Sequence, residues 1–308
     1  MSQFISKEAA STLRIGSLCT GYGGLDLAVE AYFNAETIWC AEFDKYASKV
    51  ITERFDIPNA GDIKQIHWAM MPEIDILTAG YPCQPFSHAG QRKGTDDPRH
   101  IYPYIKEAIS ILKPRIVILE NVRGHLSLGF KEVLKDLAEI GYDARWQVVR
   151  ASDVGAPHQR ARLFIVAYPS SLGLPYRNSC RPEEGFTCSK SNGFATNTDS
   201  HAHSESRRTT SCICKQSQGL RDGQDQGQAG NEHRFSLEMD RQAIPNALDQ
   251  DKLNPAFVEY MMGLAAGWVT DLDIPRTQQL KLLGNGVVPQ QAYYAIKYLC
   301  TPVDNYVE

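Results

Sequence analysis

The stretch from residue 74 to 87 constrains the fold more than any other. Ile74-Asp75-Ile76-Leu77-Thr78-Ala79 is an apolar run that reads as a short buried strand, closed by Gly80 and Pro82. Pro82 and Pro85 then flank the pair Cys83-Gln84. Each proline lacks an N–H and fixes its own φ, so neither strand nor helix runs through. The Cys83 thiol is therefore expected on a stiff turn at the carboxyl end of a strand. Open α/β sheets bind their ligands at such ends. The plainer reading is a buried cysteine packed between structural prolines.

Other segments supply the rest of an α/β fold. Residues 14–18 read as a first strand running into Cys19-Thr20-Gly21-Tyr22-Gly23-Gly24, followed by a helix. A strand, a glycine-rich turn and a helix N-terminus let backbone N–H groups approach a ligand closely, though a tight structural turn reads the same way. Residues 37–42 form a second strand ending in Glu42. A carboxylate about 20 positions past such a turn can accept from ribose hydroxyls or can simply be a solvated strand end. In Gly61-Asp62-Ile63 the aspartate fits a ligand role or a helix N-cap.

Residues 87–99 form a polar loop bearing Ser87, Gln91, Arg92, Lys93 and Arg99. A long glycine-bearing loop beside a nucleophile is either a lid whose basic residues meet phosphates or an ordinary solvated loop. Residues 101–112 have helical spacing, stopped at Pro114. Residues 115–119 form a buried strand, with Glu120-Asn121-Val122 at its end, where a carboxylate is costly without a partner. A helix over 130–140 and strands over 142–149 and 163–167 follow. Between those strands Arg160 and Arg162 alternate, so both are expected on one side. Residues 253–263 read as a helix capped by Asn254 with Pro255 at its first position. Gly284-Asn285-Gly286 reads as a turn before a final helix reaching about residue 300.

Composition limits the alternatives. A chain of 308 residues with 43% apolar and 22% charged side chains has material for one large or two ordinary domains. A net charge of −4 carries no overall cationic signature for nucleic acid, so any such surface must be local. No stretch reaches membrane-span length and no charged-then-apolar leader opens the chain. Eight cysteines without disulfide-framework spacing fit a reducing cytoplasm. Across 170–252 Ser, Gly, Gln, Asn and Asp dominate, with ten Lys or Arg against eleven Asp or Glu. His201, His203, Cys212 and Cys214 fall there, but the Cys-x-Cys spacing is wrong for a zinc knuckle, and no metal is expected.

Gly80-Tyr81-Pro82-Cys83-Gln84-Pro85-Phe86-Ser87 strongly resembles the nucleophile motif of the DNA cytosine-5 methyltransferases. The resemblance continues in order through Gly21-Tyr22-Gly23-Gly24, Glu120-Asn121-Val122, Gln159-Arg160-Ala161-Arg162 and Gly284-Asn285-Gly286-Val287-Val288-Pro289. It covers roughly 12–169 and 253–300. Two positions depart from the pattern: Cys19 stands where the family usually has Phe, and His158 where it usually has Gln.

The resemblance implies an S-adenosylmethionine-dependent, Rossmann-like, doubly wound α/β sheet with a smaller irregular recognition domain. Residues 1–169 would form the catalytic and cofactor-binding domain and 170–252 a partly flexible target-recognition region. Residues 253–308 would return to the catalytic domain. Cys83, Glu120, Arg160 and Arg162 take catalytic positions by this resemblance. Thr20, Gly21, Tyr22, Gly23, Gly24, Glu42, Asp62, Ile63 and Asn285 take cofactor positions, and Ser87, Gln91, Arg92, Lys93 and Arg99 would meet DNA. The implied reaction methylates C5 of a flipped-out cytosine in double-stranded DNA through a Cys83–C6 adduct. The enzyme is expected to be a cytoplasmic monomer, in a bacterium or phage-infected host, with room for a cognate restriction endonuclease. A tRNA cytosine-5 methyltransferase and a non-catalytic DNA-binding relative are the alternatives.

Overall fold

The computed structural model describes residues 12–82, 101–173 and 243–301. Six strands form one sheet: β1 (Leu13–Leu18), β2 (Ala35–Ala41), β3 (Ile76–Gly80), β4 (Ile116–Val122), β5 (Tyr142–Val149) and β6 (Arg162–Pro169). Their order is β2-β1-β3-β4-β6-β5. The β1–β2, β1–β3 and β3–β4 pairs are parallel, while β6 runs antiparallel to both neighbours. The chain leaves β1 toward β2 on one side and returns as β3 on the other. The carboxyl ends of β1 and β3 thus flank the switch point where such sheets bind ligands.

Helices cover both faces. On one, α1 (Gly24–Phe33) and the C-terminal helix Pro289–Leu299 pack on Ile15, Ile76, Ile118, Phe164 and Val166. On the other, α3 (Tyr102–Leu112) and α4 (Phe130–Glu139) pack on Leu77, Val117, Leu119, Leu163 and Ile165. These sheet residues alternate along their strands, as a pleat buried on both sides requires. Burying each large aliphatic side chain contributes about 1.5–3 kcal/mol. A third cluster joins α2 (Lys45–Phe55) to the returning segment through Val50, Met262, Leu264, Val269 and Leu283. That segment contains a two-stranded hairpin, β7 (Leu248–Asp249) with β8 (Lys252–Leu253), followed by α5 (Pro255–Met261), α6 (Arg276–Asn285) and α7, the helix Pro289–Leu299.

The expected doubly wound α/β architecture is present. Two local expectations change. Strand β4 continues through Glu120 and Asn121 rather than stopping before them, because antiparallel pairing with β6 carries the ladder on to Val122. Gly284 and Asn285 are not in a turn; they are the last residues of α6, and the chain turns at Gly286. Asn254 caps α5 as expected, its side chain accepting from the Ala256 N–H at 3.0 Å. Among the described residues no helix is long and apolar enough to cross a membrane.

Candidate active site

The carboxyl ends of β1, β2 and β3 build one half of the site. The turn after β1 is closed by the Gly23 N–H donating to the Thr20 carbonyl at 2.9 Å. Glu42, just past β2, accepts from the Gly21 N–H at 2.9 Å and from the Asp44 N–H at 2.8 Å. Burial pushes its carboxyl above the usual range. Asn59 aligns these parts: its Oδ1 accepts from the N–H groups of both Glu42 and Gly61, and its Nδ2 donates to the Glu42 carbonyl. Asp62 follows with its side chain accepting from the Lys64 N–H, so the N-cap reading holds locally. Ile63 behind it is buried. Burial, then the nearby carboxylates of Glu42 and Asp62, push the Cys19 thiol far up, so it stays protonated.

Tyr22 and Gly24 also join this turn to the returning segment. The Tyr22 ring is buried, its hydroxyl donates to the Val287 carbonyl at 2.7 Å, and its own carbonyl accepts from the Trp268 indole N–H. A Cβ on Gly24 would come within 2.1 Å of the Val287 carbonyl oxygen, and one on Gly286 within 1.9 Å of the Tyr22 ring. Glycine at both positions lets the two distant parts of the chain close on each other. Asn285 is exposed beside this seam.

Strands β3, β4 and β6 build the other half. Gly80 at the end of β3 is in register with Glu120 on β4. A Cβ built on Gly80 would lie 3.7 Å from Glu120 Oε2 and 3.8 Å from the Cys19 carbonyl, so the two halves meet there. The Glu120 carboxyl is buried and receives Arg162 Nε at 3.0 Å. Desolvation raises its pKa to about 7, against the opposing pull of Arg162 and then Arg160.

The two arginines are brought together, but not by simple strand alternation. Strand β6 begins only at Arg162, and Arg160 precedes it with a φ of 32°. The Arg160 guanidinium donates to the carbonyls of Gly284 and Gly286. The Gln291 side chain in turn holds the Arg160 carbonyl at 2.8 Å.

Cys83, Ser87, Gln91, Arg92, Lys93 and Arg99 lie outside the described residues, as do His201, His203, Cys212, Cys214 and positions 174–242 of the expected recognition region. Among the described residues no group of three or more His, Cys, Asp or Glu could hold a metal. Two residues were not singled out from sequence. Asn59 was missed because its bonds to the Glu42 backbone span 17 positions, a pairing that no local pattern marks. Phe43 directly follows Glu42 and leaves 79% of its surface exposed. An aromatic residue immediately after a strand-end carboxylate is the signal that could have found it.

A family model described as C-5 cytosine-specific DNA methylase matches residues 13–218. The type II methyltransferase M.HhaI of Haemophilus parahaemolyticus is 34% identical over 175 residues, 55% of this chain and 53% of that protein. M.Bsp6I of Bacillus sp. is 37% identical over 166 residues, 51% of this chain and 52% of that protein. The chain thus spans about half the length of the curated relatives it matches. A Spodoptera frugiperda DNMT2 variant shares the fold with a TM-score of 0.60 at 16% identity, covering 94% of this chain and 99% of that one. A putative DNA modification methyltransferase encoded within an Escherichia coli prophage gives 0.59 at 19% identity, covering 93% and 98%. With the glycine turn after β1, the buried Glu120–Arg162 pair and the family match over two thirds of its length, the chain belongs to the C-5 cytosine-specific DNA methylase family.

Proposed function

We propose that this chain methylates C5 of cytosine in double-stranded DNA, using S-adenosylmethionine and a covalent Cys83–C6 adduct. One observation carries the reading. Buried Glu120, which receives Arg162 Nε, stands level with Gly80, three residues before Cys83, and Gly80 also lies close to the Cys19 carbonyl.

The residues around that turn fit the cofactor. Glu42 still offers lone pairs to ribose hydroxyls, Asp62 offers a carboxylate to an adenine amino group, and the exposed Phe43 ring offers a stacking face. S-adenosylmethionine, when bound, supplies an electrophilic methyl group. The chain's own residues must make C5 nucleophilic. The Cys83 thiolate forms a bond to C6, and the C5–C6 π pair is displaced toward C5 and the ring. Glu120 in its protonated form hydrogen-bonds N3 as charge builds there. Arg162 hydrogen-bonds O2, and Arg160 steadies the segment at 284–286. After C5 is methylated, its proton leaves to base and the Cys83–C6 bond breaks, restoring the ring. No duplex exposes both faces of C5–C6, so the target base is flipped out. Residues 170–252 fall between the arginine strand and the returning helices, and we assign them the reading of DNA sequence.

The test is expression in a host lacking cytosine methylation, with 5-methylcytosine mapped at base resolution in DNA and in RNA. A fixed methylated DNA motif that Cys83→Ser abolishes is the expected result. Methylation confined to RNA, or an active Cys83→Ser chain, would overturn it.

A further inference from the structure

We infer that Tyr81 and His125 are positioning residues that fix the exit of β3 from which the Cys83 segment departs; this rests on the reading of Cys83 as the nucleophile. Tyr81 lies two residues before Cys83 and is 5% exposed, and its hydroxyl is 3.0 Å from His125 Nε2, on a side chain 2% exposed. The Tyr81 carbonyl accepts from Asn121 Nδ2 at 3.1 Å, next to Glu120 in sequence. The Tyr81 ring also packs on Tyr102 with centroids 5.6 Å apart, and Tyr102 donates its hydroxyl to the Val133 carbonyl. Tyr81 and Tyr102 bracket the segment holding Cys83, so both of its anchor points sit on one aromatic cluster resting on β4 and α4. His125 continues that cluster to Phe130.

The chemistry of the pair argues for more than filling space. A buried phenol and imidazole among apolar groups are costly unless bonded to each other, and two apolar side chains would fill the same volume without that demand. What the hydrogen bond adds is direction. Burial disfavours the charged imidazole, and in the neutral ring Nε2 can pair with the Tyr81 hydroxyl at 3.0 Å. The Tyr81 ring is thereby fixed at its tip by His125 and at its backbone by Asn121. A residue held at both ends transmits that orientation to the chain that follows it.

The test compares the wild-type chain with Tyr81→Phe, His125→Leu and His125→Gln. It measures single-turnover methylation of plasmid DNA from a methylation-free host, adduct formation on 5-fluorocytosine DNA, S-adenosylmethionine affinity and thermal midpoint. A small misplacement near a reacting atom can cost about 100-fold. Tyr81→Phe and His125→Leu should therefore slow methylation and adduct formation together by roughly 10–100-fold, with cofactor affinity unchanged. His125→Gln, which keeps an acceptor near the Nε2 position, should recover most of the rate. Tyr81→Phe removes one oxygen atom, so it reports even if His125→Leu fails to fold. Wild-type rates in Tyr81→Phe, or rate losses that only follow the loss of folded protein, would overturn the inference. A wild-type chain that neither methylates nor forms the adduct would instead overturn the functional reading, and the inference with it.

Discussion

Two buried glutamates, Glu120 and Glu259, show how differently one side chain can be used. Glu259 on α5 accepts from the N–H groups of Gly267, Val269 and Thr270 and from the Thr270 hydroxyl, at 2.6 to 3.1 Å. Four donors from one loop complete its coordination, and its task is to hold that loop. Glu120 receives Arg162 Nε at one oxygen, and its other oxygen lies toward Gly80 at the end of β3. A carboxylate already met by four donors has little left for a ligand. One whose pKa burial raises to about 7, and whose second oxygen has no hydrogen-bond partner among the described residues, can still exchange a proton.

Glu120→Gln should give the largest effect and sharpen the contrast. It keeps the shape but loses the titrating proton, so turnover should fall about 10²–10⁴-fold while the fold and cofactor affinity persist. The pH dependence has a definite sign. Between 4.5 and about 7 folded Glu120 holds a proton that the unfolded chain has released. Its contribution to stability is therefore present at low pH and lost as pH rises through about 7. Turnover that needs this proton should decline across the same range. Denaturation midpoints and rates in Glu120→Gln should lose both slopes.

Glu259→Gln should act the other way. Turning an amide toward donors that met a carboxylate should cost about 3 kcal/mol of stability, read from urea unfolding, while turnover per folded molecule holds. A catalytic loss without a stability loss would break the contrast. Gly286→Ala comes next, since its Cβ would meet the Tyr22 ring at 1.9 Å. Overpacking of this kind costs about 1–3 kcal/mol, and should appear as a lowered thermal midpoint. Lys281→Ala should matter least. Its ion pair with Asp44 at 2.9 Å is part-exposed, so removing it should change stability by less than about 1 kcal/mol, with the difference shrinking in salt.

The same contrast explains what could be read from the chain. Strand β5 is found at 142–149 with no adjustment, and α3 and α4 differ from expectation by one residue at one end, because period and punctuation are local. Strand β4 reads too short from sequence, since Glu120 and Asn121 look like an ending until β6 pairs with them. Gly-Asn-Gly looks like a turn throughout, yet α6 runs on to Asn285 and the close approach to Tyr22 falls at Gly286. The residue types of the site were legible because an unusual carboxylate at a buried strand stands out. The contacts that orient it were not. Arg160 reaches Gly284 across 124 positions, and Tyr81 meets His125 across 44. No local pattern encodes such pairings.

The seam between Tyr22 and Val287 has a consequence for synthesis on the ribosome. Its partners are 265 residues apart, and the helix that covers α1 follows directly after Val287. At about 5–20 residues per second, the first glycine turn waits on the order of 10–50 s for the backbone that closes it. During that interval Leu25, Ala28, Val29 and Tyr32 have no helix α7 to cover them. The nascent chain therefore emerges with its glycine turn unfinished and an apolar stripe open to chaperones. Closure of this turn arrives late in translation, as a property of nearly the whole described chain rather than of its first strands and helices.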